Sequence, residues 1–440
     1  MNFQIYSLRQ YGIAVLLLVL ATGGGRAVAD SGEGPLFVHN QQLTPRQLVD
    51  AVLARNPTLP AMQAAWQAAQ SRIEPAAALD DPMLSYAAAP RTAGADDLDF
   101  GQKLELSQQL PWPGKRQLRG ERAQHEADAA QQDIETLRLK LSATTRSLFA
   151  DWYFIHEAIR INRINQDLLQ EFRRIAEARY STGQASKRDA LRADVEFNLL
   201  KHRAIVLERQ RRDSLARINT LLNRAPDERL PLPTKLSEPE PLPSAQTLRT
   251  RAAQARPELK ALAAHIEASR STADLARRAF YPDLNLKAGY NSLWNQDEKR
   301  LTVGVGINLP LDRSKRRAAE DAARARMMQA QWELTDKAAV IAGEVQRAYD
   351  RVEESRHVLT LYRERLLPLA EENLAAAKVD YQGGSGDFLS LLTTEKNLIQ
   401  TRLQVEQALA DLHRHLAALE RAVGSLTPLS AGNESRRNAP

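Results

Sequence analysis

The chain contains no cysteine, which excludes disulfides, thiolate metal sites and a lipid attached through a cysteine near the N-terminus. That absence suits an oxidising compartment, where a stray thiol is a liability. Aromatic residues make up only 5% and methionines number five, so neither an aromatic globular core nor a methionine ladder for soft metals is available. The formal net charge, +6, is small against 60 basic and 54 acidic residues. Such interleaved charge belongs to solvated helix faces, and no helix-turn-helix, finger or RNP pattern accompanies it, so no nucleic-acid partner is expected. Glycine-rich phosphate loops, nucleophile elbows and His-Glu metal motifs are also missing. The histidines are scattered, and His413 and His415 fall about 200° apart around a helix, so they cannot share an ion and read as a solvated face. The acid pairs Asp80-Asp81 and Asp96-Asp97 read as solvated loop or strand-end residues. No catalytic residue, cofactor or metal site is expected, and the protein is not read as an enzyme.

What is present favours long helices. Ala, Leu, Arg, Glu and Gln dominate, and 43% apolar residues in 440 are enough for a large core. The first 29 residues read as a cleaved secretory signal, with Arg9 as the positive n-region, Ile13 to Ala21 as the apolar core, and Ala27 to Ala29 as a small-x-small cleavage site. That core is too short to span a bilayer well. Removing it takes away Arg9 and Arg26 and no acid, leaving a charge of +4.

The chain repeats one plan. "LARNPTLPAM" around Pro57 answers to "AQARPELKAL" around Pro257, and "DPMLSYAA" around Pro82 to "YPDLNLKA" around Pro282. Leu110-Pro111 answers to Leu309-Pro310, and "ARYSTGQ" around Tyr180 to "VDYQGGS" around Tyr381, all at offsets of 199 to 201 positions. Ordered similarity of this kind points to a duplicated unit. The copies span residues 30–224 and 244–424, joined by a proline-rich extended connector, 225–243, and followed by a flexible tail, 425–440.

Each copy predicts the same elements. Helices are expected over 44–73 and 244–279, opened by Thr44-Pro45 and by Pro243 or Ser244. Strand pairs follow at 82–90 and 100–110, then at 282–290 and 301–309, joined by polar loops at 91–98 and 291–300. In the second copy Leu284, Leu286, Ala288 and Tyr290 share one face, and Leu301, Val303, Val305, Ile307 and Leu309 share another. In the first copy Leu84, Tyr86 and Ala88, then Leu104, Leu106 and Leu110, alternate more weakly. A hard step marks each strand-to-helix junction, at Pro111, Pro113 and Gly114 and again at Pro310. Beyond it, long helices are expected over 114–180 and 313–381, returning over 187–224 and 387–424 after tip turns at Tyr180, Gly183 and Gly384. At 1.5 Å per residue the helix over 114–180 is about 100 Å long. Leu391, Leu398, Val405, Leu412 and Leu419 form a coiled-coil seam, with Leu409, Leu416 and Val423 filling in. Pro368 is expected to kink the outward helix of copy two.

Strands of about ten residues with one apolar face have the length of strands that cross an outer membrane. Four cannot close a barrel, because barrels start at about eight and an open edge is not tolerated in lipid. The chain is therefore expected to oligomerise, with the helices projecting as a tube and the proline step marking where strand leaves bilayer. A periplasmic coiled-coil adaptor or structural protein is the alternative, though it has no need of four alternating strands at matching offsets.

The duplicated plan, the Leu-Pro step with its basic helix start, and the paired "YSTGQASKRDALRAD" and "YQGGSGDFLSLLTTE" resemble the TolC family of outer-membrane efflux channels over nearly the whole mature chain. "LPWPGKRQLRGE" more closely resembles its heavy-metal cation efflux branch. The resemblance implies a homotrimer with a 12-stranded barrel in the outer membrane of a Gram-negative bacterium, continuous with a helical periplasmic tunnel. It implies as partners a periplasmic adaptor and an inner-membrane pump, and as cargo heavy-metal cations, with drugs or other small molecules the alternative. It also implies a periplasmic gate at the tips, where Asp189 and Tyr381 match an acid and its tyrosine partner in a carboxylate to phenol latch. The alternative for Tyr180 and Tyr381 is that both cap the hairpins by packing. The family's tip arginine falls at Gly386 here, and its lumen aspartates fall at Ser390 and Thr393, with Asp387 a nearby substitute.

Overall fold

Thr44 accepts a hydrogen bond from the Gln47 N–H while the Gln47 side chain accepts one from the Thr44 N–H, a reciprocal cap that starts the first helix. The structure, a computed structural model, describes residues 37, 42–93, 100–183, 186–294, 296–427 and 429. The chain forms two units, Met1–His39 and Asn40–Pro440, and every element below lies in the second. The expected signal segment, 1–29, lies outside the described residues, as do Asp96 and Asp97.

The first repeat runs β1 (Gln42–Leu43), α1 (Pro45–Arg55), α2 (Thr58–Gln70), α3 (Ile73–Ala77), β2 (Met83–Ala89), β3 (Gly101–Leu110), α4 (Lys115–Ser181) and α5 (Lys187–Leu221). A connector with β4 (Leu232–Pro233) leads to α6 (Ala245–Ala255), α7 (Pro257–Arg278), β5 (Leu284–Asn291), α8 (Asp297–Arg300), β6 (Leu301–Ile307), α9 (Arg313–Leu361), α10 (Leu367–Gly383) and α11 (Phe388–Val423).

The two opening helices are not continuous. Residues 44–73 form α1 and α2 and reach into α3, and residues 244–279 form α6 and α7. Proline is the reason. Asn56 and Arg256, which precede Pro57 and Pro257, take ψ of 120° and 119°, the extended backbone that a following proline imposes. Each break frees a side chain for the end of a returning helix. Asn56 donates to the Leu221 carbonyl at 3.0 Å, and Arg256 donates to the Ala422 and Arg421 carbonyls at 3.0 and 3.2 Å. Carbonyls at the end of a returning helix thereby gain a side-chain donor in both copies, although the Arg421 carbonyl also accepts the Gly424 N–H at 3.0 Å.

The 67-residue α4 is about 100 Å long, and it packs against α7, α5, α11 and α2. The return helix α5 ends at Leu221 rather than 224, because Asn223 takes a left-handed φ of 52°. All eight residues of the coiled-coil seam in α11, Leu391 through Val423, are buried. Pro368 coincides with a break in regular α geometry. The chain accommodates it with a single π turn at Tyr362–Leu366, and helix then continues through Gly383. A proline cannot donate to the preceding turn and clashes with it, and the wider π turn relieves both conflicts.

The connector is extended and fastened. β4 pairs with β1 in parallel, Leu236 is buried, Trp152 Nε1 donates to the Pro231 carbonyl at 3.2 Å, and Arg363 pairs with Glu238 at 3.2 Å. His413 bonds the Ser237 carbonyl at 2.8 Å and His415 bonds Ser355 Oγ at 2.7 Å. These two histidines therefore serve packing contacts instead of the solvated face read from their spacing. Beyond α11, Arg146 donates to the Leu426 carbonyl at 2.8 Å and Leu429 is buried. The start of the expected flexible tail is thus packed, and residues 430–440 lie outside the described residues. Among the described residues no helix is long and apolar enough to cross a membrane.

Candidate functional site

The alternation read in the sequence assembles into one antiparallel sheet of order β2-β3-β5-β6. The hairpins of the two repeats join through β3 and β5. Register aligns the apolar positions across all four strands: Leu84, Leu106, Ala288 and Val303 form one row, and Tyr86, Leu104, Tyr290 and Leu301 the next. This face is bare. Val303 is 82% exposed, Leu301 74% and Val305 67%, values that no folded sheet in water sustains across a whole face. The other face is polar, with Ser85, Lys103, Glu105, Ser107, Gln109, Asn285, Lys287, Asn291 and Thr302 among small residues and Met83 at one end. At the far end Ser292 Oγ accepts from the Gln102 N–H at 2.8 Å and donates to the Phe100 carbonyl at 2.7 Å, stitching the hairpins together. The expected second strand of copy two ends early, at Ile307, so Leu309 belongs to the step. Pro310 has no N–H to extend a ladder, and the Asn308 N–H closes the sheet on the Asp283 carbonyl at 3.2 Å. The 291–300 loop also carries the short helix α8.

The proline step is built on a buried ion pair that the sequence did not reveal. Gly114 takes a φ of 86°, a left-handed backbone that calls for glycine, and a Cβ there would push on the Arg278 guanidinium at 2.7 Å. Lys115 is buried, and its Nζ donates to Asp283 at 2.7 Å and to the Tyr281 carbonyl at 3.0 Å. Asp283 also accepts from the Trp112 N–H at 2.8 Å, and the Trp112 ring stacks on Tyr281 at 5.2 Å. Pro111 and Pro113 hold the turn that presents these groups, and Arg278 donates to the Pro113 carbonyl at 2.8 Å. The basic cluster after each step has a matching job. Arg116 donates to the Ala77 carbonyl at 2.8 Å, and Arg316, after Pro310, donates to the Ala279 carbonyl at 2.9 Å. In both copies an arginine at the start of the long helix grips the end of the helix that precedes the strands.

At the tips, Gly183 and Gly384 take φ of 76° and 84° and end their helices. The two tyrosines differ. Tyr180 is 49% exposed, whereas Tyr381 is 3% exposed and packs at 5.3 Å from the Phe388 ring, inside a cluster with Leu169, Phe172, Ala176, Ala193, Leu391 and Leu392. The Arg179 guanidinium lies 4.7 Å from the centre of the Tyr381 ring and donates to the Tyr381 carbonyl. Arg179 is the tip residue that sequence reading missed, since its counterpart in copy two is the oppositely charged Asp380. The phenol oxygen of Tyr381 is buried without a hydrogen-bond partner, so the latch to Asp189 is not formed in this structure. Burial raises the Tyr381 pKa, Arg179 opposes the rise, and the Asp189 charge adds to it. Asp387 caps α11 by accepting from the Ser390 N–H at 2.8 Å. Ser390 and Thr393 are exposed one turn apart, and the Thr393 hydroxyl donates to the Leu389 carbonyl of its own helix at 2.8 Å. At Gly386, a Cβ would lie 3.0 Å from Asp380 Cβ and 3.1 Å from the Tyr381 nitrogen, so a side chain there requires the hairpin to shift by a few tenths of an ångström.

Above the tip a cavity of about 220 Å³ lies between α4, α10 and α11, lined by Arg160, Asn165, Glu395, Arg402 and Glu406 with apolar neighbours. Glu395 is 2% exposed and its Oε1 has no partner. Burial, helped by the charge of Glu196 and opposed by Lys396, pushes its pKa up to about 7.

Comparison with known proteins agrees with this geometry. The family of outer membrane efflux proteins matches residues 48–224 and 248–425. The chain is 24% identical over 404 residues to the pyoverdine export outer membrane protein OpmQ of Pseudomonas aeruginosa, covering 88% of this chain and 80% of that one. It is 20% identical over 312 residues to the cobalt-zinc-cadmium resistance protein CzcC of Cupriavidus metallidurans, covering 71% and 74%. Among solved structures, the outer-membrane channel OprN superimposes with a TM-score of 0.74 at 20% identity over 87% of this chain and 90% of that one. CusC does so at 0.75 and 17% over 87% and 92%, and the open outer membrane channel MtrE of Neisseria gonorrhoeae at 0.73 and 18% over 88% and 90%. Two matched segments, one per repeat, together span most of the sequence, and the chain belongs to the outer membrane efflux protein family, the TolC family of channels.

Proposed function

We propose that this chain is the outer-membrane duct of a tripartite efflux system in a Gram-negative bacterium, a passive path from periplasm to exterior. The observation that carries the reading is a four-stranded sheet with one bare apolar face and two unpaired edges, β2 and β6, joined by a buried ion pair to helices about 100 Å long. Three such sheets joined edge to edge give twelve strands, enough to close a barrel whose apolar face meets lipid and whose polar face meets water. The long helices then form the wall of a periplasmic tunnel, which an adaptor and an inner-membrane pump engage. Heavy-metal cations are the cargo favoured by the "LPWPGKRQLRGE" step and the likeness to a cobalt-zinc-cadmium resistance protein. A small organic molecule is the second reading, favoured by the 24% identity to a pyoverdine export protein over more of the chain.

The tip residues Asp189, Tyr381, Asp387, Ser390 and Thr393 form the periplasmic gate in this reading, with Arg179 holding the Tyr381 side of it. Light scattering, corrected for bound detergent, on protein extracted from isolated outer membranes tests the duct. Three chains per particle are expected. A soluble monomer or dimer absent from the membrane fraction sinks the channel and leaves the periplasmic coiled-coil adaptor as the better account. For the gate, Tyr381→Phe and Asp189→Asn are expected to raise single-channel conductance several-fold in planar bilayers, and conductance equal to the parent removes both residues from the gate.

A further inference from the structure

Among the described residues of the four long strands, Lys103, Glu105 and Lys287 are the only charged side chains, and all three lie on the polar face. They form one cluster. Glu105 sits between the two lysines, 2.7 Å from Lys103 and 3.4 Å from Lys287, and its side chain is 22% exposed. The lysine side chains are 49% and 47% exposed, so the two bases are more open to solvent than the acid between them. One acid cannot neutralise two bases, and each chain therefore presents a net charge of +1 on this wall. The surroundings leave that charge open. Gly289 stands opposite Glu105 and Gly304 opposite Lys287 in the ladder, and a Cβ on Gly304 would meet nothing within 4 Å.

We propose that Lys103 and Lys287 make the barrel section an anion-favouring passage, so that cargo leaves as an anion, a metal included only when it is carried in an anionic complex. The inference rests on the trimeric duct proposed above. Three chains place six lysines and three glutamates at one level of the bore. A 12-stranded barrel has a backbone radius of about 12 Å at ordinary strand spacing and tilt. Lysine side chains reach several ångströms inward from it, so their charges stand within about one Debye length of the axis at physiological salt, roughly 8 Å. The field is therefore felt by a solute anywhere in the bore and is not confined to the wall. This bears on the choice between the two cargo readings, because a bare divalent cation meets repulsion here and an acidic organic molecule or an anionic chelate does not.

The absence of cysteine allows a direct test with the full chain reconstituted in lipid vesicles. Ser107→Cys places a thiol on the polar face opposite Lys287 in register, and Leu106→Cys places one on the apolar face. The readout is the ratio of the reaction rates of a membrane-impermeant anionic methanethiosulfonate and its cationic counterpart, so that thiol ionisation cancels. At Ser107→Cys the anionic reagent is expected to lead, with the ratio falling roughly threefold or more in Lys103→Gln/Lys287→Gln and rising in Glu105→Gln. Lys103→Gln alone gives an intermediate fall and serves if the double variant does not fold. A ratio that none of these substitutions moves overturns the inference. If Ser107→Cys is unreactive to both reagents, or Leu106→Cys reacts as fast, the polar face does not line a water-filled bore, and the duct reading fails with the inference.

Discussion

At the residue scale, two groups show how burial turns an ordinary side chain into a device. Lys115 in "PGKRQ" reads as one more member of a basic helix start. In the folded chain it is buried against Asp283, about 170 residues away, and it ties the start of α4 to the start of β5. Nothing local in the sequence marks it, because the pair exists only once the strands of copy two lie beside the first step. Glu395 is the second case. Its folded pKa, about 7, stands above the ordinary glutamate value of about 4.3. The folded state therefore binds a proton more tightly than the unfolded chain, and the stabilisation is full below pH 4 and lost as pH rises toward and through 7. Glu395→Gln, which stays neutral, is expected to be more stable than the parent at pH 8 by on the order of 2 kcal/mol. At pH 4 the advantage should vanish. Thermal unfolding of detergent-extracted protein at both pH values measures this, and an advantage of equal size at both would show that folding does not raise the Glu395 pKa.

At the element scale, the strands stood where the period-2 alternation placed them, to within about two residues. The pattern is unambiguous because every second residue must suit the same environment. The long helices and the α11 seam were legible for the parallel reason at a helical period. Helix continuity was harder to read. Asn56 and Arg256 looked like interior positions, yet each precedes a proline, leaves the helical region and closes the end of a returning helix. The two closures differ in strength. Arg256 is buried, pairs with Glu258 at 2.7 Å and serves two carbonyls, whereas Asn56 serves one. Arg256→Ala is expected to cost about 3 kcal/mol and Asn56→Ala about 1 kcal/mol. Amide hydrogen exchange should locate the loss, with faster exchange in the last turn of α11 for the first variant and of α5 for the second. Unchanged exchange in those turns would show that the caps are carried by other groups. The π turn before Pro368 belongs to the same scale, since sequence identifies the obstacle and packing selects how the helix passes it.

At the scale of the whole molecule, the sheet's bare face is the feature that asks for a bilayer. A charge placed on it should be expelled. Val303→Lys is expected to cost about 2 to 4 kcal/mol of membrane stability and to cut recovery of folded protein from the membrane fraction. Thr302→Lys, one residue away on the polar face, should be recovered at the level of the parent. Equal recovery of both variants would mean that the two faces meet the same solvent. The tips carry the opposite lesson. Gly384 and Gly183 were legible as turns because left-handed backbone favours glycine, but the roles of the tyrosines were not. Tyr180 and Tyr381 occupy matching positions in matching motifs, and one is half exposed while the other is buried under Arg179.

By itself the sequence determined the period of each element, the two copies and the positions of the punctuating prolines and glycines, because these are local consequences of side-chain shape and backbone freedom. The tertiary structure decided everything that required two distant segments to meet. It paired β3 with β5 and so merged two hairpins into one sheet, it buried Lys115 against Asp283, and it turned Tyr381 into the hairpin core. It also gathered Lys103, Glu105 and Lys287 into a single charged cluster from strands about 180 residues apart. The physical reason is the same throughout. Burial and net charge are properties of a neighbourhood, and a linear pattern fixes a neighbourhood only along the chain.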